Sequence, residues 1–223
     1  CSTQSIGSCN LLLSVSNVDI STINRQLRDS SAEQIIRWAL SQQLKTILTT
    51  SFGKNAAALL QLASQVDQQL PAVWIDTGYN LRDTYVVAEK LMQRIPLDYH
   101  IFSPLMTSER RNATMGGIPS MEDEELHKAF TYQVKLEPFD RAIKQFQPDM
   151  WITGIRQQDT EHRKTLDIVS RDARGLLKIA PLFYWSDDQL EAYVQSNQLL
   201  SCRHYFDPTK VQDGRECGLH TSA

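Results

Sequence analysis

Short apolar runs alternating with stretches of helical spacing constrain this 223-residue chain more than any other feature. Residues 45–50 carry Ile47 and Leu48. Residues 71–76 read Pro-Ala-Val-Trp-Ile-Asp. Similar runs fall at 97–102, at 150–154 (Met-Trp-Ile-Thr-Gly) and at 177–182. Runs this short, bounded by polar or glycine-containing turns, are strands buried on both faces. Between them lie helical stretches. In residues 29–44, Ala32, Ile35, Ile36, Ala39 and Leu40 recur at helical spacing. Residues 56–63, Ala-Ala-Ala-Leu-Leu-Gln-Leu-Ala, are a strong helix former. Further helices are expected over 81–94, 138–146 and 186–197, the last with Ser186 as N-cap and Asp187 and Asp188 in its first turn. The fold class expected is α/β: a mostly parallel twisted sheet with helices on both faces. A single nucleotide-binding domain over 29–200 is expected, after a polar leader at 1–28 and before a flexible C-terminal tail at 201–223. Residues 103–135 are the least regular. They read as a lid over a site, or as a solvated loop and surface helix.

Composition excludes several classes. Hydrophobic residues make up 41% and charged residues 22%, as in an ordinary globular domain. A net charge of −3 gives no reason to expect nucleic acid. No apolar stretch approaches the ~20 residues of a membrane span, and residues 1–28 lack the basic-then-apolar pattern of a signal peptide. The four cysteines, Cys1, Cys9, Cys202 and Cys217, have no regular spacing and make no disulfide framework. A cytoplasmic, reducing setting is expected.

Ligands of an open α/β sheet bind beyond the carboxyl ends of its strands, and three loops there carry suitable residues. The first is Thr49-Thr50-Ser51-Phe52-Gly53-Lys54-Asn55. Its hydroxyls, glycine and helix-opening amides suit an anion. It lacks the second glycine and the Lys-Ser/Thr pair of a Walker A loop, and a plain capped turn is the other reading. Lys54 either adds a cation for the ligand or points to solvent. The second loop is Asp76-Thr77-Gly78-Tyr79, otherwise a simple strand-to-helix turn. The third is Gly154-Ile155-Arg156 with Arg163 and Lys164 following. Arginine binds phosphate or sulfate in bidentate fashion; a solvated charged loop is the alternative.

The tail carries Arg215-Glu216-Cys217-Gly218-Leu219-His220. A cysteine between a carboxylate and a glycine, with no apolar run around it, is poorly suited to core packing. Arg215 and His220 are charges that could lower its pKa and make it a nucleophile. The alternative is an inert terminal cysteine.

Taken together, these features resemble the phosphoadenylyl-sulfate (PAPS) reductases, thiol-dependent sulfonucleotide reductases with an adenine nucleotide α-hydrolase-like fold. The resemblance rests on Thr50-Ser51-Phe52-Gly53, Asp76-Thr77-Gly78-Tyr79, Lys135-Leu136-Glu137-Pro138 with Arg141-Ala142, and Gly154-Ile155-Arg156 with Arg163. It continues through Lys178-Ile179-Ala180-Pro181-Leu182, Trp185 and Glu216-Cys217-Gly218-Leu219-His220. It implies Cys217 as nucleophile and His220 as a further catalytic candidate. It implies that Thr50, Ser51, Phe52, Gly53, Lys54, Asp76, Thr77, Gly78, Lys135, Gly154, Arg156, Arg163 and Arg215 bind a sulfonucleotide. It also implies thioredoxin or glutaredoxin as reductant and a homodimer. Relatives that prefer adenylyl sulfate hold a [4Fe–4S] cluster on Cys-Cys and Cys-x-x-Cys pairs; this chain has neither pair, so no cluster is expected. The segment joining His204 to Arg215 is shorter than is usual in the family, and it lacks a Gly-Asp-x-His-Ser/Thr-Thr-like stretch. That leaves substrate choice open.

Three other readings remain at this stage. Cys202, His204, Cys217 and His220 have the ligand count of a structural zinc site. An ATP-using enzyme of the same fold would have no need of Cys217. A nucleotide-binding protein without turnover is the third.

Overall fold

The computed structural model describes residues 19–120, 122–202 and 204–210. The five apolar runs form β1 (Thr46–Thr50), β2 (Pro71–Ile75), β3 (Asp98–Phe102), β4 (Met150–Ile152) and β6 (Leu177–Ile179). A sixth strand, β5 (Val169–Arg171), completes one sheet in the order β3-β2-β1-β4-β6-β5. Every pair is parallel except β5 with β6. β5 escapes sequence reading because it has only three residues, Val-Ser-Arg, too few to display a period.

Side chains alternate across a strand, and that alternation builds two cores. Ile47 of β1, Val73 and Ile75 of β2 and Trp151 of β4 point to one face. There they meet Phe139 and Ala142 of the helix Glu137–Phe146. Leu48, Ala72, Trp74, Met150 and Ile152 point to the other, larger core. Helices Ala32–Ser41 and Ala56–Val66 supply Ile35, Ile36, Leu59 and Leu60 to it. Trp151 and Phe139 are fully buried, with ring centroids 5.1 Å apart. Burying one such ring contributes about 3–5 kcal/mol, judged by the usual cost of truncating it.

In chain order the helices are α1 (Ile20–Leu27), α2 (Ala32–Ser41), α3 (Ala56–Val66), α4 (Arg82–Arg94), α5 (Ser108–Met115), α6 (Glu124–Thr131), α7 (Glu137–Phe146) and α8 (Asp187–Ser196). Ser186 caps α8 as expected, and Gln189 completes a reciprocal capping box. α2 begins three residues later than its periodicity suggests, because Ser31 and Gln34 form the same box there. The irregular region 103–135 is largely helical. It holds α5, α6 and a π-helical turn, Tyr132–Leu136, that runs into α7.

The stretch read as a polar leader also needs correction. Asp19 caps α1 by accepting from the amides of Ser21 and Thr22. Ile23 and Leu27, one turn apart, enter the main core. Asn24 lies between them on the buried side. Its Nδ2 donates to Val169 O at 2.9 Å, and its Oδ1 accepts from Val169 N at 2.8 Å. α1 therefore docks on the outer edge of β5, the sheet's last strand. A helix with only two buried aliphatics inside a Ser/Thr/Gln-rich stretch gives a weak pattern, which is why residues 20–27 read as leader.

Asn24→Ala should leave both polar groups of Val169 unpaired and destabilise the protein by about 1–3 kcal/mol. A urea unfolding midpoint equal to wild type would show that α1 docks by other contacts.

Candidate active site

The chain lays down β1, β2 and β3 in one direction, then returns to place β4 on the opposite side of β1. Loops leaving the carboxyl ends of β1 and β4 therefore diverge and open a crevice. A cavity of about 290 Å³ lies there. The loops after β1, β2 and β4 line it, together with Lys135 from the π-helical turn and Tyr205, Asp207 and Lys210 from beyond α8.

The first loop owes its shape to one strained residue. Phe52 has φ of 52°, the left-handed region that a bulky side chain rarely adopts. Its ring is fully buried and meets Trp74 edge-on at 4.8 Å. Packing of the ring thus holds the backbone in a conformation it would not choose alone. Thr50 Oγ1 accepts from Phe52 N at 3.1 Å, tightening the turn. Phe52 itself does not line the cavity; Thr50, Ser51, Gly53 and Lys54 do. Asn55 does not cap α3 with its side chain and Ala56 N donates to Gly53 O at 3.0 Å, so the amides of Ala57 and Ala58 are those left to an anion. Gly53 lets the loop approach Tyr205 closely: a Cβ there would lie 3.1 Å from Tyr205 Cγ, a tight contact.

Asn55 and Asp159 join the first loop to the third. Asn55 Nδ2 donates to Gly154 O at 2.9 Å and to Asp159 Oδ2 at 3.2 Å. Asp159 also accepts from Arg156 N at 3.2 Å, from Arg156 Nη2 at 2.9 Å and from Arg163 Nη1 at 2.9 Å. The arginine cluster is thereby divided. Arg163 lines the cavity. Arg156 is 2% exposed, stands behind the wall and reaches Asp187 Oδ1 at 2.9 Å. The structure thus places Arg156 as a brace rather than a cavity residue. Lys164 is exposed and pairs with Glu161. Lys54 is exposed at the rim and pairs there with Asp187 Oδ1 at 2.5 Å. Lys54, then Arg156, hold the Asp187 carboxyl below its ordinary range.

The second loop divides in the same way. Thr77 lines the cavity, whereas Asp76 and Gly78 do not. Asp76 Oδ1 accepts from Gly78 N at 3.0 Å, Asn80 Nδ2 at 2.9 Å and Tyr85 Oη at 2.8 Å. Burial and this carboxylate push the Tyr85 pKa up to about 12. Gly78 takes φ of 77°, which its turn requires. Asp76 and Gly78 shape the turn that presents Thr77. Of the basic residues in 103–135, Arg111 is buried and donates to Gln133 Oε1 and Met106 O, while Arg110 and Lys128 are exposed.

The opposite wall was expected from sequence only at Lys135. Lys135 projects from the π-helical turn, a widened turn often found at functional sites. It forms a buried ion pair with Asp207; the two side chains are 8% and 5% exposed. Asp207 Oδ1 also accepts from Thr209 N at 3.0 Å and Thr209 Oγ1 at 2.7 Å. Burial raises the Asp207 pKa, but Lys135 and Thr209 outweigh it and the net shift is downward. Tyr205, Asp207 and Lys210 are cavity residues that sequence reading missed, and they belong to no glycine-rich or arginine-rich run. Asn55 and Asp159 stand within the first and third loops but were not assigned to the ligand. Gly154 lines the cavity as expected. Arg215, Cys217 and His220 lie outside the described residues. Cys202 is buried, with Sγ 3.4 Å from Thr84 Oγ1, and His204 is exposed.

Asp207→Asn should leave the Lys135 ammonium without its buried counter-charge and cost about 3–5 kcal/mol at neutral pH. Because the folded-state pKa of Asp207 is depressed, the stability it supplies is present above the ordinary value of 3.8 and is lost as pH falls below it. The variant should therefore show a flatter loss of stability in acid. Parallel acid unfolding curves for variant and wild type would refute the pairing.

Comparison with known proteins supplies the family. Residues 45–207 match the model of the phosphoadenosine phosphosulfate reductase domain. A Synechococcus protein named phosphoadenosine 5'-phosphosulfate reductase is 33% identical, over 90% of this chain and 97% of its own length. One of the same name from Synechocystis is 30% identical, over 90% and 80%. The crystal structure of phosphoadenylyl-sulfate reductase from Candida auris, a phosphate complex, superposes with a TM-score of 0.73 at 25% identity, covering 85% of this chain and 90% of that one. On these matches, and with a switch-point cavity lined by hydroxyl and basic residues, this chain belongs to the phosphoadenosine phosphosulfate reductase family.

Proposed function

We propose that this protein reduces phosphoadenylyl sulfate to sulfite and adenosine 3',5'-bisphosphate. The observation that carries this reading is the cavity itself. The phosphate-type loop of Ser51 and Gly53, Arg163 and Lys135 converge there on one wall-to-wall space. The segment leading to Cys217 forms its far side. Cys217 follows Lys210 by seven residues, 217 minus 210. An extended chain covers ~3.3–3.6 Å per residue, so the tail spans at most ~25 Å. That length can carry a thiol from the wall to the middle of the cavity and away again, despite the short segment between His204 and Arg215.

The nucleotide lies across the strand ends, its anionic groups met by the amides opening α3 and by Arg163 and Lys135. The Cys217 thiolate attacks the sulfur of the phosphosulfate. The S–O bond to the phosphate breaks, adenosine 3',5'-bisphosphate leaves, and Cys217 carries an S-sulfonate, Cys–S–SO₃⁻. Fixed cations and amides around the transferring group stabilise the charge that develops on the leaving phosphate. A thiolate of reduced thioredoxin or glutaredoxin then attacks Sγ of Cys217 and displaces sulfite. The second thiol of that dithiol resolves the mixed disulfide, supplying the two electrons in total and returning the Cys217 thiol. Arg215 and His220 flank Cys217 and favour its thiolate. Lacking the Cys-Cys and Cys-x-x-Cys pairs, the chain works with this protein dithiol and without an iron–sulfur cluster. Such a reaction belongs in a reducing, cytoplasmic compartment. Among the described residues, no helix is long and apolar enough to cross a membrane.

Mixing the reduced protein with phosphoadenylyl sulfate should add one SO₃ group on Cys217, seen by intact-mass spectrometry and peptide mapping. Reduced thioredoxin should remove it, and Cys217→Ser should show no adduct. An unmodified wild-type chain would reject this mechanism.

A further inference from the structure

Four cations line the cavity: Lys54, Lys135, Arg163 and Lys210. Three of them carry an internal counter-charge. Lys54 is paired with Asp187, Arg163 with Asp159 and Lys135 with Asp207. Among the described residues, no ion pair joins a carboxylate to Lys210. A ligand with several negative charges gains less from a cation whose field a neighbouring carboxylate already offsets. Arg156 shares both Asp159 and Asp187, so the group of Lys54, Arg156 and Arg163 keeps part of its positive charge. Lys210 adds a cation that, among the described residues, no carboxylate offsets.

Lys210 is also well anchored at its backbone. Asp207 folds the chain into a turn: Thr209 N and Oγ1 donate to its side chain, and Lys210 N donates to its carbonyl at 3.0 Å. Asp207 and Thr209 are 7% and 3% exposed, and Asp207 is held by Lys135 from the opposite element. The Lys210 Cα is fixed in the wall by this buried turn, and only its side chain must order when a ligand arrives. Such preorganisation lowers the cost of binding.

We infer that Lys210 is a substrate-binding residue, which takes an anionic group of the nucleotide through a charge-assisted contact. The inference rests on the proposed sulfonucleotide reading of the cavity. It places substrate recognition on the shortened segment that leads to Cys217. Lys210 there provides a cation beside the residues of the three strand-end loops.

Calorimetric titration with adenosine 3',5'-bisphosphate tests this on the wild-type chain, Lys210→Met and Lys210→Arg, at low and high salt. The expected result is about tenfold weaker binding by Lys210→Met, a loss that shrinks at high salt. Lys210→Arg should stay within about twofold of wild type, and all three should share one thermal midpoint. Unchanged affinity in Lys210→Met overturns the inference while leaving the function intact. Equal losses in both variants with lowered midpoints also overturn it, since they would mark a structural role. A wild-type chain that does not bind the nucleotide overturns both the inference and the functional reading.

Discussion

β4 forms its hydrogen bonds with β1, not with β3, the strand that precedes it in the chain. That pairing reverses the direction in which strands are added to the sheet. α7, which precedes β4, covers the smaller core, and α3, which follows β1, covers the larger one. The loops beyond β1 and β4 part at this reversal, one entering α3 and the other the short turns Gln157–Asp159 and His162–Thr165. The cavity is the space left between them. Nothing in it could be assembled if β4 lay elsewhere, since Gly154 and Arg163 would no longer face Ser51 and Gly53.

Within that frame a small number of buried polar groups fix the details. Asp159 gathers Asn55, Arg156 and Arg163, so one carboxylate sets the distance between the first and third loops. Asp207 does the same for Lys135 on the far wall. Buried charges are tolerated only when paired and hydrogen-bonded. These carboxylates therefore settle which cations remain open to a ligand. Phe52 plays a comparable part through packing: its ring, held between Trp74 and Tyr99, keeps the backbone of the anion loop in the left-handed region.

Much of this was legible in the chain as written. Ile47-Leu48, Val73-Trp74-Ile75 and Met150-Trp151-Ile152 announce buried strands, since an apolar run of that length fits little else. Ser186 with Asp187 and Asp188 announces a helix start. Thr50, Ser51, Gly53, Lys54, Thr77, Lys135, Gly154 and Arg163 were all expected at the ligand and all line the cavity. Arg156, Asp76, Gly78 and Phe52 were expected there and do not line it. In each case the residue shapes or braces the segment that carries a lining residue. Motif reading cannot separate the two roles, because both are written into the same stretch of chain. α1 and β5 were missed for a different reason: each is short and becomes stable only through the other, by way of Asn24 and Val169.

By itself the sequence determined the alternation of strands and helices, the hydroxyl, glycine and basic residues of the strand-end loops and the cysteine on the tail. These are local properties, set by side-chain period, backbone freedom and chemistry within a few residues. Only the tertiary structure decided which cations keep a partner and which face the cavity. Lys135 meets Asp207 across 72 residues of chain and Lys54 meets Asp187 across 133. No local pattern encodes such a pair. It arises when packing brings distant segments together and burial forces each charge to find its counterpart.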